Sequence, residues 1–145
     1  MAMLVRALGI SMDNGQTAAF ADVPADFWAN ESVAAAVKFG IVSGYSDQKF
    51  QPNRQITREE MAVMISNAAK FVQGSLNEGV TEDTLSAFKD RSEVSGWAAM
   101  AMAYAVHEGI LQGAGPDRLA PAKDTTRAEA AVMLKRLLIQ LNFMN

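Results

Sequence analysis

The sequence predicts an all-α chain of helix–loop–helix repeats, incomplete at its N-terminus. Three observations predict it. A Thr-Arg-x-Glu run occurs twice, at Thr57–Glu60 and Thr126–Glu129, 69 residues apart. Apolar residues recur at helical spacing after each run. Gly, Pro and Asp collect in two equivalent loops, GYSDQKFQPNRQ and GAGPDRLAPAKD, as turns require.

The repeat extends well beyond these runs. Phe20-x-Asp22 matches Phe88-x-Asp90, and Trp28 matches Trp97. Gly40-Ile41 and Gly44 match Gly109-Ile110 and Gly113, and Pro52 matches Pro121. Ala62-Val63-Met64 matches Ala131-Val132-Met133. Constant order and spacing mark true internal repeats. Full repeats are assigned to residues 19–72 and 87–141, with connectors at 11–18 and 73–86. Residues 1–10 align with the last helix of a repeat, so the chain is expected to be a piece of a longer protein that opens on a preceding repeat.

Each element follows from local chemistry. In the N-terminal segment, Met1, Leu4, Val5 and Leu8 share one helical face. This helix is expected to dock on the full repeats. In the first repeat, Asp26 is read as the cap of a helix from about Trp28 to Phe39, with Val33, Val37 and Ile41 buried and Gly40 as its stop. In the second, a helix from about Gly96 to Glu108 buries Trp97, Met100, Ala101, Tyr104 and Ala105, and Gly109 ends it. Phe50 and Leu119 pin the loops that follow. A helical turn is expected over Thr81–Ser86.

Thr57 with Glu60, and Thr126 with Glu129, are capping boxes. The helices they open bury Met61, Met64, Ile65, Ala68 and Phe71, then Ala130, Met133, Leu134, Leu137 and Leu141. Arg58 and Arg127 lack such an explanation. An Arg in the first helical turn opposes the helix dipole, and its recurrence suggests that it faces an anion.

Composition excludes several classes. Net charge is −3, from 13 Lys+Arg against 16 Asp+Glu. That balance does not fit non-specific nucleic-acid binding, which needs clustered cations. The absence of cysteine removes disulfides, thiolate metal sites and Cys nucleophiles. No apolar run is long enough for a membrane span. His107 stands alone, so no His-based metal site is expected. Asp13-Asn14-Gly15 and Tyr45-Ser46-Asp47 lack the alternating acids of a calcium loop and read as turns. No nucleophile elbow, Ser/His/Asp set or phosphate loop is present. Glu59 and Glu60 diverge around a helix and form no catalytic pair. No catalytic residue, metal ligand or cofactor is assigned.

The combination Phe-x-Asp, Trp, Gly-Ile-x-x-Gly, loop Pro and Thr-Arg-x-Glu closely resembles the S-layer homology repeat. FADVPADFWA through QITREEMAVM carries one copy, and FKDRSEVSGW through TTRAEAAVML carries another. The resemblance implies a pseudo-threefold bundle of repeats on the outside of a bacterial cell. It implies a non-catalytic anchor that binds secondary cell wall polysaccharide, typically through a pyruvylated sugar, in grooves between repeats. It assigns the groove to Arg58 and Arg127, Trp28 and Trp97, Asp22 and Asp90, Gly44 and Gly113. A ketal carboxylate suits an Arg fork beside a helix N-terminus, and an indole suits a sugar face.

Three departures qualify the likeness. Glu59 stands where the family often has Ala. Ala122 replaces Asn53 in the second repeat. The truncated repeat lacks its own Asp, Trp and Thr-Arg-x-Glu, so only the groove joining Arg58 to Asp90 and Trp97 is complete. On this reading Arg58 serves binding and contributes little to folding. A second reading is an assembly module that self-associates through the truncated repeat.

Overall fold

In the computed structural model, all residues are described except Asp13, Asn14, Gln16, Ser46, Glu78 and Asn145. The described residues form five α-helices: α1 (Ala2–Ala7), α2 (Asn30–Lys38), α3 (Arg58–Gln73), α4 (Ala99–His107) and α5 (Arg127–Gln140). Two 3₁₀ turns, Glu82–Leu85 and Arg91–Glu93, precede α4, and no strand occurs among the described residues. The calcium-loop candidates at Asp13-Asn14 and Ser46 lie outside the described residues.

The chain divides into two compact units, Met1–Arg54 and Gln55–Asn145. The division does not fall between the sequence repeats. It falls just before the first Thr-Arg-x-Glu. In each unit the helix that closes one repeat packs on the helix that opens the next: α1 on α2, and α3 on α4.

In the first unit, α1 docks on α2 and buries Leu4, Val5 and Leu8, as its spacing predicts. Asn30 anchors the segment before α2. Its amide donates to the Val23 and Pro24 carbonyls at 3.0 and 2.9 Å, and its side-chain oxygen accepts the Ala18 N–H at 3.2 Å. Asp26 does not cap α2. The N-cap is Ala29, with no side-chain cap hydrogen bond. Chain turns on either side of Trp28 delay the helix until Asn30.

In the second unit both capping boxes form. Thr57 accepts the Glu60 N–H at 3.2 Å and Glu60 accepts the Thr57 N–H at 2.8 Å. The equivalent distances at Thr126 and Glu129 are 3.1 and 2.8 Å. α3 packs on α4, and Ala62, Ala69, Ala98, Ala103 and Ala105 are fully buried along with Ile65, Met102 and Tyr104. This corrects the expected stripe on α4. Tyr104 and Ala105 are buried as expected and Ala101 is half-buried, but Trp97 and Met100 are exposed, and Met102 and Ala103 take the core side. Val37 and Phe71 are likewise exposed rather than buried. The α5 stripe of Met133, Leu134, Leu137 and Leu141 is buried as predicted, with Ala130 half-buried.

The Phe-x-Asp motif organises the loop of its own repeat. Asp22 accepts the N–H of Phe50 and of Gln51 at 2.9 and 2.7 Å. Asp90 accepts those of Leu119 and Ala120, each at 2.8 Å. Gln51 (φ 55°) and Ala120 (φ 49°) are left-handed, a conformation that is costly for a residue with a Cβ. The carboxylate stabilises it by gripping the N–H of that residue. Phe20 and Phe88 pack over Gly44 and Gly113, where any Cβ would collide with the ring or the facing loop backbone. The same Tyr45-to-Lys49 and Ala114-to-Arg118 backbone hydrogen bonds close both loops.

Candidate functional site

The N-terminus of α3 is where the two full repeats meet within the second unit. Its first-turn donors are already taken. The Arg58 N–H donates to the Lys123 carbonyl at 2.9 Å and the Glu59 N–H to the Pro121 carbonyl at 3.1 Å. The Glu60 N–H meets the Thr57 hydroxyl. The Thr125 N–H returns to the Ile56 carbonyl at 2.8 Å. The free helix end expected to help hold an anion is therefore not available at α3, because a loop of the second repeat caps it.

Arg58 is only 3% exposed. Its Nε donates to the Leu119 carbonyl at 2.8 Å and its Nη2 to the Gln112 carbonyl at 2.6 Å. Its Nη1 lies 3.6 Å from the Glu129 carboxylate. Burial lowers its pKa, while Glu129 and Asp90 act in the opposite direction. A guanidinium stays charged through such a shift. Arg58 thus fastens the second repeat's loop to the first repeat's helix. The expectation that it contributes little to folding does not survive this geometry.

Beside Arg58 opens a cleft of about 390 Å³, the size of a small-ligand pocket. Gln112 and Gly113 form one wall, and Val132 and Met133 of α5 give an apolar patch. Lys123 and Arg136 add two cations to Arg58, against the one carboxylate of Glu129. Glu129 remains ionised. The Thr126 N–H and hydroxyl, then Lys123 at 3.1 Å, hold its pKa down at about 2. The cleft carries net positive charge.

The structure brings Arg58 and Gly113 to this cleft, which Asp90 does not line. Asp90 is 4% exposed, with both oxygens committed to backbone donors. Burial raises its pKa, but the Leu119 and Ala120 N–H groups and Arg118 leave it lowered overall. Trp97 does not line the cleft. It stands 62% exposed, in a turn tied to α3 through Ser95, which donates to Glu59 from both its N–H and its hydroxyl at 3.0 Å. In the first unit, Trp28 is 72% exposed with its ring tilted against Phe27, and Asp22 and Gly44 hold the loop. Neither indole is a core residue. Arg127 is exposed.

Sequence reasoning missed Gln112, Lys123, Arg136 and Ser95, and took Glu129 only as a cap. The available signal was position. Gln112 adjoins Gly113, Lys123 closes the loop, and Arg136 interrupts an apolar run on α5.

The model of the S-layer homology domain matches the chain twice, over residues 19–62 and 87–131. The chain belongs to the S-layer homology domain family. Among relatives of this S-layer homology chain is the surface-layer 125 kDa protein of Lysinibacillus sphaericus, 38% identical over 120 residues, 81% of this chain and 10% of that protein. An amylopullulanase of Thermoanaerobacterium thermosulfurigenes is 34% identical over 94% of this chain and 7% of its own length. Exoglucanase XynX of Acetivibrio thermocellus is 33% identical over 97% of this chain and 12% of its own length. The chain thus spans about a tenth of the relatives it matches. Proteins named for different roles share this part.

Proposed function

We propose that this S-layer homology chain is a non-catalytic anchoring module that binds an anionic cell wall polysaccharide at the bacterial cell surface. The observation that carries the reading is the cleft at the repeat junction, where Arg58, Lys123 and Arg136 outnumber one carboxylate. A pyruvylated sugar fits it. The ketal carboxylate meets the cations, and the sugar ring meets Val132 and Met133. The exposed Trp97 offers a further stacking surface. Arg127, Trp28, Asp22 and Gly44 belong to the same reading at the other repeat junctions, where Asp22 and Gly44 act by shaping the loop. The relatives support it, since a segment common to a surface-layer protein and to glycosidases suits attachment better than a shared reaction.

The test is co-sedimentation with purified cell walls before and after chemical removal of pyruvate. Binding lost with the pyruvate supports the reading. Binding that survives unchanged removes the carboxylate from it.

A second reading is self-association; Leu4, Val5 and Leu8 of the truncated repeat, through which it is expected, are buried, and Ile139, Phe143 and Met144 are instead exposed in and after the last turn of α5. Sedimentation analysis over a concentration series separates it from the first.

A further inference from the structure

Glu59 is a buried carboxylate that the capping box does not use. It is 8% exposed. Its Oε2 accepts the Ser95 N–H and its Oε1 accepts the Ser95 hydroxyl, both at 3.0 Å. Ser95 opens the turn that carries Trp97, closed by the Ala98 N–H donating to the Ser95 carbonyl at 2.8 Å. Trp97 lies between the tethered Ser95 and the fully buried Ala98, so the bonds at Ser95 anchor the turn on which the exposed indole stands.

The pair is particular to this junction. The repeat counterpart of Glu59 is Ala128, which has no acceptor. The counterpart of Ser95 is Asp26, which carries a carboxyl group in place of the hydroxyl. Arg58 and Glu59 are consecutive, and they reach opposite flanks of α4. Arg58 takes the loop after it, at Gln112 and Leu119, and Glu59 takes the turn before it, at Ser95. A two-residue segment therefore fixes both flanks at once.

We infer that Glu59 is a positioning residue that holds the Trp97 platform in register with the Arg58 cleft, so that one saccharide can engage both. The inference rests on the proposed polysaccharide binding. Its structural half can be measured without any ligand.

The experiment uses the full chain with Trp28→Phe, leaving Trp97 as the sole indole. Glu59→Ala, Glu59→Gln and Ser95→Ala are compared by steady-state fluorescence anisotropy of Trp97, by melting temperature and by binding to pyruvylated wall polymer. Glu59→Ala should lower the Trp97 anisotropy and weaken polymer binding about tenfold, the equivalent of one hydrogen bond of about 1.4 kcal/mol. Glu59→Gln retains one acceptor and should recover part of both. Ser95→Ala keeps the backbone bond and should fall between; it decides the matter if Glu59→Ala fails to fold. Unchanged anisotropy in the folded variants overturns the inference, as does unchanged affinity alongside a loosened indole. If the parent chain binds no polymer at all, the functional reading fails, and the anisotropy alone decides whether Glu59 holds the turn.

Discussion

Arg58 Nε lies 2.8 Å from the Leu119 carbonyl oxygen, a bond across 61 residues of sequence. Leu119 in turn gives its N–H to Asp90 at 2.8 Å. One residue's backbone is thus held through its carbonyl by a cation from the first repeat and through its N–H by an anion from its own. The Arg of Thr-Arg-x-Glu and the Asp of Phe-x-Asp converge on the same loop, although the two motifs lie at opposite ends of the repeat.

Removing Arg58 should therefore destabilise the second unit. Arg58→Ala leaves the Leu119 and Gln112 carbonyls without their charged donors, at a cost of about 3 kcal/mol. Arg58→Lys should recover little, because an ammonium cannot reproduce a fork spread over two carbonyls. Urea unfolding checks both. A midpoint shared by wild type and Arg58→Ala would show that the staple contributes nothing.

Ala120 provides a reciprocal test. It sits at φ 49°, where its Cβ is strained, and Asp90 grips its N–H. Ala120→Gly should stabilise the chain by up to about 1 kcal/mol. Asp90→Ala should destabilise it by about 2 kcal/mol, and Ala120→Gly should offset part of that loss. Thermal melts of the two single variants and the double variant read the coupling.

The capping box at α5 predicts a pH dependence. The pKa of Glu129 is held at about 2, below its ordinary 4.5, first by the Thr126 N–H and hydroxyl. A carboxylate depressed in the folded state stabilises above its unfolded pKa, and that stabilisation is lost as pH falls from about 4.5 towards 2. Thr126→Ala should cost about 0.5–2 kcal/mol at neutral pH and flatten this acid limb. A difference between wild type and Thr126→Ala that is constant from pH 7 to pH 2 contradicts the assignment. Thr57→Ala should show a similar loss at neutral pH.

Lys123 and Arg136 carry the binding prediction better than Arg58, whose loss also disturbs the fold. Replacing either with Ala should weaken binding to pyruvylated polymer by about 1.5–3 kcal/mol, the range for a charged hydrogen bond. The loss should disappear against polymer stripped of pyruvate and shrink as salt rises. Arg127→Ala should matter less, since Arg127 does not line the cleft. Isothermal titration with both polymers at two salt concentrations reads all of this.

The sequence by itself determined what is local. Thr-x-x-Glu closes a capping box within one turn, Gly40 and Gly109 stop helices through positive φ, and apolar spacing sets the buried face of α1 and most of α3 and α5. These features depend on neighbours three or four residues away, so they are legible one repeat at a time. Only the tertiary structure decided which face of α4 turns inward, because its run of Ala and Met is compatible with either side until α3 is there to meet it. The partners of Arg58, Glu59 and Asp90 were decided in the same way. Their bonds span 61, 36 and 29 residues, and five of the six groups they grip by these hydrogen bonds are backbone amides or carbonyls that every sequence supplies. A side chain's chemistry states that it needs a partner of opposite polarity; only the packing of the repeats brings one backbone group within its reach.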